Sequence, residues 1–409
     1  MDSDYIELWR YVSFGWVFLA LPALFLLEAG ACRKGSGQNI LIKNWAQLSL
    51  GVIMWWLVGY GIAFGDVDEG FIGTELFSGK DWTAADFRIA NHFALLGLLC
   101  VFIVNLATAE RLSWWGSVVF SGVVLGWVFP VVAAWAHEGW LQSFDSEYID
   151  RGGTARVYLF SGSLVLPAVF FLKYRVGVEP GTIPHPNDPI LVVTGNFLAW
   201  IAVLGGSSET SPGIQEVGTA IWNSLLAGGT CSVVSTVIMG AFKHEMYDLF
   251  VAVLEGTIAG MVSVSSLAQT AKSPEVFAMA VINAPAFVLT YKLVKKNKTL
   301  DDALNMFATF YVPGLLGTIF VGFFDREKGV FHGAGGGVLG VQALGALVIS
   351  LWGFLWSSLV FGLLRLVSLS NVNNSVQTYG FDEAVLDKKG FRIPGIESDA
   401  SRAEEINGN

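Results

Sequence analysis

The chain has 409 residues, of which 53% are hydrophobic and only 14% charged, and its 24 basic and 34 acidic residues leave a formal charge of −10. Soluble globular domains carry about one quarter charged residues, so this balance argues against one and makes the bilayer the expected solvent; mean hydropathy is +0.56. No basic block is present to neutralise phosphates, which argues against nucleic acid, and Cys32, Cys100 and Cys231 lie in or beside apolar runs without paired spacing, which supports neither a disulfide scaffold nor a cysteine zinc site.

In chain order, windows of about 20 residues pick out eleven apolar segments, near 10–31, 45–66, 90–109, 114–136, 155–174, 190–206, 214–240, 248–270, 275–295, 303–324 and 338–366. The acidic start, Asp2 and Asp4, lacks the positive region of a cleavable signal, so the first segment is expected to remain a helix. The expected fold is an all-α integral membrane domain over 1–366 with a tail at 367–409. Of the 24 Lys and Arg, 16 fall on alternate loops and the tail, which predicts a cytoplasmic C-terminus and an external N-terminus. The external loops at 67–89 and 137–152 are acidic; they are read either as a cation-attracting rim or as ordinary solvated loops. Five segments followed by five of opposite orientation suggest an inverted repeat with a site at the midplane.

Small residues at helix-packing spacing occur at Gly256 and Gly260 and in GAGGGVLGVQALG at 333–345, read as close packing and a loop rather than a phosphate cradle. The ionisable residues at membrane depth are Glu28, Glu110, Arg156 and Glu255. Glu110 and Arg111 are read as an interfacial anchor and Glu255 as a buried helix contact. Arg156 is shallow enough to snorkel outward, yet near a channel mouth if its helix lines one. His92, His137, His185, His244 and His332 show no metal-pair spacing and are expected at surfaces or interfaces; no metal or cofactor is expected, and no enzyme motif is present.

Several segments in one order resemble the ammonium transporter and Rhesus channel family: LEAGACRKGSGQNILIKN at 27–44, GYGIAFGD at 59–66, TAERLSWWG at 108–116, GWVFPVVAAWAHEGWL at 126–141, GNFLAWIAVLG at 195–205, LEGTIAGMVSVS at 254–265, DDALNMFATFYVPGLLGTIFVGFF at 301–324 and LGVQALG at 339–345. The resemblance covers essentially the whole transmembrane region. It implies eleven helices built from an inverted five-helix repeat plus one, an external N-terminus, and a homotrimer with one pore per subunit. It also implies an external ammonium site made by a hydroxyl and an aromatic face, a gate of two phenylalanines, and two facing pore histidines.

Position by position, the chemistry departs from that pattern. Counting eight residues from Asp150 puts Tyr158 at the first histidine position, or Val157 if the Gly152-Gly153-Thr154 run is aligned instead; counting from Asp301 puts Phe310 at the second. Leu96, with Phe93 nearby, and Gly206 stand at the gate. Thr210 keeps the hydroxyl of the external site, whose aromatic position falls on His137 or Ala136. Neither tyrosine nor phenylalanine relays protons at neutral pH as imidazole does, so Phe310, Phe307 and Phe160 are expected to plug or narrow the lumen. Three readings follow: ammonium or ammonia transport through a degenerate pore, a non-conducting sensor or membrane-complex subunit working through a cytoplasmic regulator or other membrane subunits, and a channel for another small solute. Lipid is expected around the protein, and the plasma membrane is its expected location. YGFDEAVLD at 379–387 resembles the family's regulatory C-terminal segment.

Overall fold

Apolar runs of about 20 residues can pair all their backbone groups inside a bilayer only as helices or as a closed barrel, and here every such run coils. The structure is a computed structural model; it describes residues 2–33, 35–67, 70–178, 186–241, 245–374 and 377. Among these are eleven helices long and apolar enough to cross a membrane: α1 (Tyr5–Ala31), α2 (Asn39–Phe64), α3 (Ala84–Ala107), α4 (Trp114–Gln142), α5 (Thr154–Leu172), α6 (Pro189–Glu209), α7 (Ile214–Ala241), α8 (Met246–Val264), α9 (Ser273–Lys296), α10 (Phe307–Phe324) and α11 (Gly337–Leu366). No strand forms among the described residues; Leu112 and Asn371 make one isolated bridge. An odd number of crossings puts the start of α1 and the end of α11 at opposite ends of the bundle, called here the N-face and the C-face.

Count and order match the hydropathy reading, while several boundaries move. α3 begins ahead of its apolar run because Thr83 and Asp86 form a capping box: the Thr83 N–H donates to Asp86 at 2.7 Å and the Asp86 N–H donates to the Thr83 hydroxyl at 3.4 Å. α8 stops at Val264 because the Ser266 N–H and hydroxyl turn onto Thr154 Oγ1, at 2.9 and 2.8 Å. Of the expected tail, only 367–374 and Gln377 are described; the segment 379–387, together with His185 and His244, lies outside the described residues.

The apolar windows of α3, α4 and α5 are 89%, 78% and 83% buried, against 39% for α6, α7 and α11, so the first three form the centre and the last three the outer wall. Along α11, Leu347, Leu351, Leu355, Leu359 and Leu363 are exposed at four-residue spacing, an apolar stripe that needs lipid or another protein surface. Glycine lets the outer helices pack closely onto their neighbours. A Cβ on Gly260 would stand 2.4 Å from the Ala227 carbonyl, and one on Gly345 would stand 2.3 Å from the Tyr148 ring. The glycine-rich stretch at 333–345 thus serves a loop and then helix packing.

Buried charges are paired between helices. The Lys43 ammonium and Asn44 amide donate to Glu28 at 2.8 Å each, joining α1 to α2, and Asn105 of α3 donates to Asn44 at 3.0 Å. At the C-face the expectation of an interfacial Glu110–Arg111 anchor is corrected. Both residues are buried, Arg111 completely; Glu110 accepts from Arg33, and Arg111 donates to the carbonyls of Ala107 and Lys173. Polar anchoring is replaced by a network because loops from four helix ends converge there.

Candidate functional site

Two aspartates start two helices in the same way. Asp150 accepts the N–H groups of Ala155 and Arg156, each at 3.0 Å, and the Ser266 hydroxyl at 2.9 Å; Asp302 accepts those of Met306 at 2.9 Å and Phe307 at 2.7 Å. A carboxylate at a helix N-terminus satisfies otherwise orphaned donors and faces the positive end of the dipole. Burial pushes the Asp302 carboxyl up to about 6, against the pull of those two N–H groups. Its neighbour Asp301 takes a different role: burial alone would raise its carboxyl, but the Arg111 and Arg175 guanidiniums hold it below the ordinary range. Asp301 is bidentate to Arg175, at 2.9 and 3.0 Å. The cap that corresponds to Asp150 is therefore Asp302, whereas the sequence count had started from Asp301.

Each cap opens a π-helical turn, Thr154–Leu159 and Phe307–Tyr311. In the second, Pro313 supplies no N–H to the carbonyl four residues back and crowds it, which favours the wider turn. Each turn presents an aromatic ring eight residues after its cap. The rings of Tyr158 and Phe310 lie nearly parallel, with centroids 5.9 Å apart and an interplanar angle of 18°.

On either side of this stack lies a small chamber with a volume of ≈ 40 Å³. A water needs at least about 10–15 Å³, so each holds a few waters but not a hydrated ion. Phe310, Leu24, Ala199 and Ile258 belong to both walls and form the partition between the chambers. Tyr158 closes the partition on the N-face side. Leu96 and Gly206 also line the N-face chamber, and a Cβ on Gly206 would stand 4.0 Å from the Tyr158 hydroxyl.

The structure thus brings Tyr158, Phe310, Leu96 and Gly206 together. It does not bring Thr210 and His137 to either wall. The Thr210 hydroxyl donates to the Arg151 carbonyl at 2.8 Å and accepts from the Gln269 amide at 2.7 Å, so it is occupied by protein. His137 lies at the end of α4, edge-on to Phe64 at 5.2 Å and beside Glu138 at 3.5 Å. Ala136 is buried beside it. Of the three phenylalanines expected to narrow the lumen, only Phe310 reaches a chamber. Phe307 stacks on Tyr311 at 4.7 Å, and Phe160 is buried against Phe129 at 6.2 Å, because neighbouring positions on a helix point to different faces.

The N-face chamber carries charge. Arg156 is 8% exposed and turned inward rather than snorkelling: its guanidinium lies 5.0 Å above the Phe93 ring, Nη2 reaches the Arg151 carbonyl at 3.4 Å, and Nε has no hydrogen-bond partner. Phe93 therefore seats a cation already supplied by the chain. His92, expected at a surface, is buried, lines the chamber, and places Nε2 3.8 Å from Glu209. The signal for it was available in the sequence, since 92, 96, 99 and 103 fall on one helical face and all four side chains line this chamber. The C-face chamber holds Glu255, which accepts from Asn305 at 3.1 Å and Thr309 at 3.3 Å. Among the described residues, no group of three or more His, Cys, Asp or Glu is arranged to hold a metal ion.

The profile of the Ammonium Transporter Family matches residues 8–391. A putative ammonium transporter of Synechocystis is 28% identical, over 85% of this chain and 67% of its own length. Ammonium transporter 3 of Dictyostelium discoideum is 26% identical over 93% and 97%. Two solved structures share the fold: one described as a sensor Amt protein, with a TM-score of 0.85, 20% identity and coverage of 93% of this chain and 98% of its own, and Candida albicans Mep2, with 0.78, 21%, 90% and 86%.

Proposed function

The chain belongs to the ammonium transporter family and is an integral membrane protein; from that premise we propose that it handles ammonium and ammonia through a degenerate pore, in which the neutral molecule passes slowly and the ion carries no current. The observation that carries this reading is the Tyr158–Phe310 stack between two chambers too small for a hydrated ion. Stripping water from an ammonium ion costs several kcal/mol unless the site repays it. Here neither ring offers an imidazole, and the aromatic seat at Phe93 already holds Arg156. In this reading Leu96 and Gly206 stand in for a gate, Asp150 positions the helix that bears Tyr158, Thr210 and His137 are remnants of an outer site, and the protein is not an enzyme.

Methylammonium uptake into proteoliposomes tests the proposal. Wild-type protein is expected to exceed protein-free vesicles only slightly, and Arg156→Val to raise uptake several-fold by removing a like charge from the path. Uptake by the wild type as fast as that of a twin-histidine relative, and unchanged in Arg156→Val, would sink it.

The remaining arrangement is proposed on family grounds together with charge placement: the N-terminus external, the C-face cytoplasmic, residues 1–366 as the membrane domain, the plasma membrane as location, lipid around it, and three copies per particle. The exposed leucine stripe of α11 needs cover of this kind. Native mass spectrometry should release a particle of three protomers; a stable monomer from mild detergent would remove the trimer.

A second reading, a receptor that signals through its tail, is favoured by one connection. Asp301 grips Arg175, and the next residue, Val176, donates its N–H to Gln377 at 3.2 Å, so the loop beneath the C-face chamber is joined to the start of the tail. One of the fold relatives is itself described as a sensor. Uptake no faster than through protein-free vesicles would favour this reading.

A further inference from the structure

Apart from Glu209, which faces His92, the acidic side chains buried among the described residues are balanced in one of two ways. Glu28, Glu110, Asp301 and Asp325 each face Lys or Arg, and Asp150 and Asp302 cap helices through backbone N–H groups. Glu255 has neither. It sits midway along α8, where an ionised group is costly, and its partners among the described residues are the neutral Asn305 amide and Thr309 hydroxyl. It lines a chamber walled mostly by apolar side chains, Phe250 and Phe310 among them, with Asn196, Tyr247 and Thr309 as the other polar residues.

We propose that the C-face chamber is a cation site built on Glu255, and that it takes a small ammonium-type cation, ammonium or methylammonium, entering from the C-face. The inference rests on the family reading above and reverses the side from which the ligand is expected. Ala31, Pro186, Tyr247 and Leu304, all at or beside C-face helix ends, form the rim of this chamber, while the N-face chamber presents the Arg156 guanidinium instead. A volume of ≈ 40 Å³ admits a bare ammonium-sized ion. One carboxylate accepts its N–H donors, and the faces of Phe250 and Phe310 suit its charge. A hard metal ion is poorly served, because it seeks six or more oxygen ligands.

The test is calorimetric titration of the full protein in lipid nanodiscs with ammonium chloride, at constant ionic strength set by a bulky organic cation. Wild type should bind saturably, Glu255→Gln at least about tenfold more weakly, a loss of about 1.4 kcal/mol. Thr309→Val, which removes a donor that aims the carboxylate, should bind with an intermediate loss, and the exposed N-face variant Glu75→Gln as wild type. Thermal melts of each variant separate lost binding from lost fold, with Thr309→Val deciding if Glu255→Gln fails to fold. Equal binding by Glu255→Gln, loss on His92→Ala in its place, or no saturable binding by wild type would overturn the inference. Glu255-dependent binding without uptake removes only the transport reading; uptake with binding indifferent to residue 255 removes only this one.

Discussion

Replacing Phe310 with alanine should join the two chambers and raise methylammonium or ammonia flux about tenfold, a fall of about 1.4 kcal/mol in the barrier. The ring belongs to both chamber walls and stacks on Tyr158, so its removal opens a continuous path where the wild type has a partition. Tyr158→Ala should act in the same direction with a smaller effect, because Tyr158 borders the N-face chamber alone. The double variant should exceed the larger single by less than the sum, since both changes remove one contact. Phe→Ala costs about 3–5 kcal/mol in a packed core; Phe310 borders open volume, so its loss should fall below that range. Stopped-flow shrinkage of proteoliposomes in ammonium, together with labelled methylammonium uptake, reads the effect. Unchanged flux in a folded Phe310→Ala protein would mean that the partition lies elsewhere.

The largest stability effect is expected at Asp301. Its carboxylate is bidentate to Arg175, accepts the Arg175 backbone N–H at 2.9 Å, and lies 3.6 Å from Arg111, both guanidiniums being buried. Asp301→Ala takes from two buried cations their directly paired counter-charge, and breaking such a pair from one side costs about 3–5 kcal/mol. Because the arginines hold the Asp301 carboxyl below its ordinary range, its stabilisation is present above the ordinary aspartate value and is lost as pH falls through the depressed one. The variant should therefore melt far below wild type at neutral pH, with the gap closing in strong acid. Arg175→Lys should not rescue the site, because an ammonium cannot reproduce the two-pronged contact. Melting within a degree or two of wild type at pH 7 would show that the network contributes little.

Much of the architecture was legible because the bilayer imposes it. A continuous apolar run such as Trp114–Gln142 satisfies its own backbone in lipid only as a helix, so eleven crossings and their order followed from hydropathy alone. Tyr158 and Phe310 were also accessible, since fixed spacing from an aspartate cap survives divergence of the residues it positions. What hydropathy hid were polar groups turned inward. Arg156 was equally consistent with a snorkelling anchor, and only the Phe93 ring beneath it decides the direction. His92 shares a face with Leu96, yet nothing local announces Glu209, more than a hundred residues away in sequence. Thr210 was legible as a hydroxyl but not as one already bound on both sides, because Arg151 and Gln269 reach it from the turns before α5 and after α8. Asp301 and Asp302 are adjacent, and a count along the chain cannot tell a helix cap from an arginine clamp.

The central claim is that an aromatic partition, without an imidazole relay, denies this family member an ammonium current. The most direct measurement is the current evoked by an ammonium concentration jump across proteoliposomes on a solid-supported membrane, recorded beside a twin-histidine relative. The account predicts a current indistinguishable from protein-free vesicles for the wild type, and a response that grows most when Phe310 is removed. A saturable wild-type current that persists in Phe310→Ala and Tyr158→Ala would contradict it.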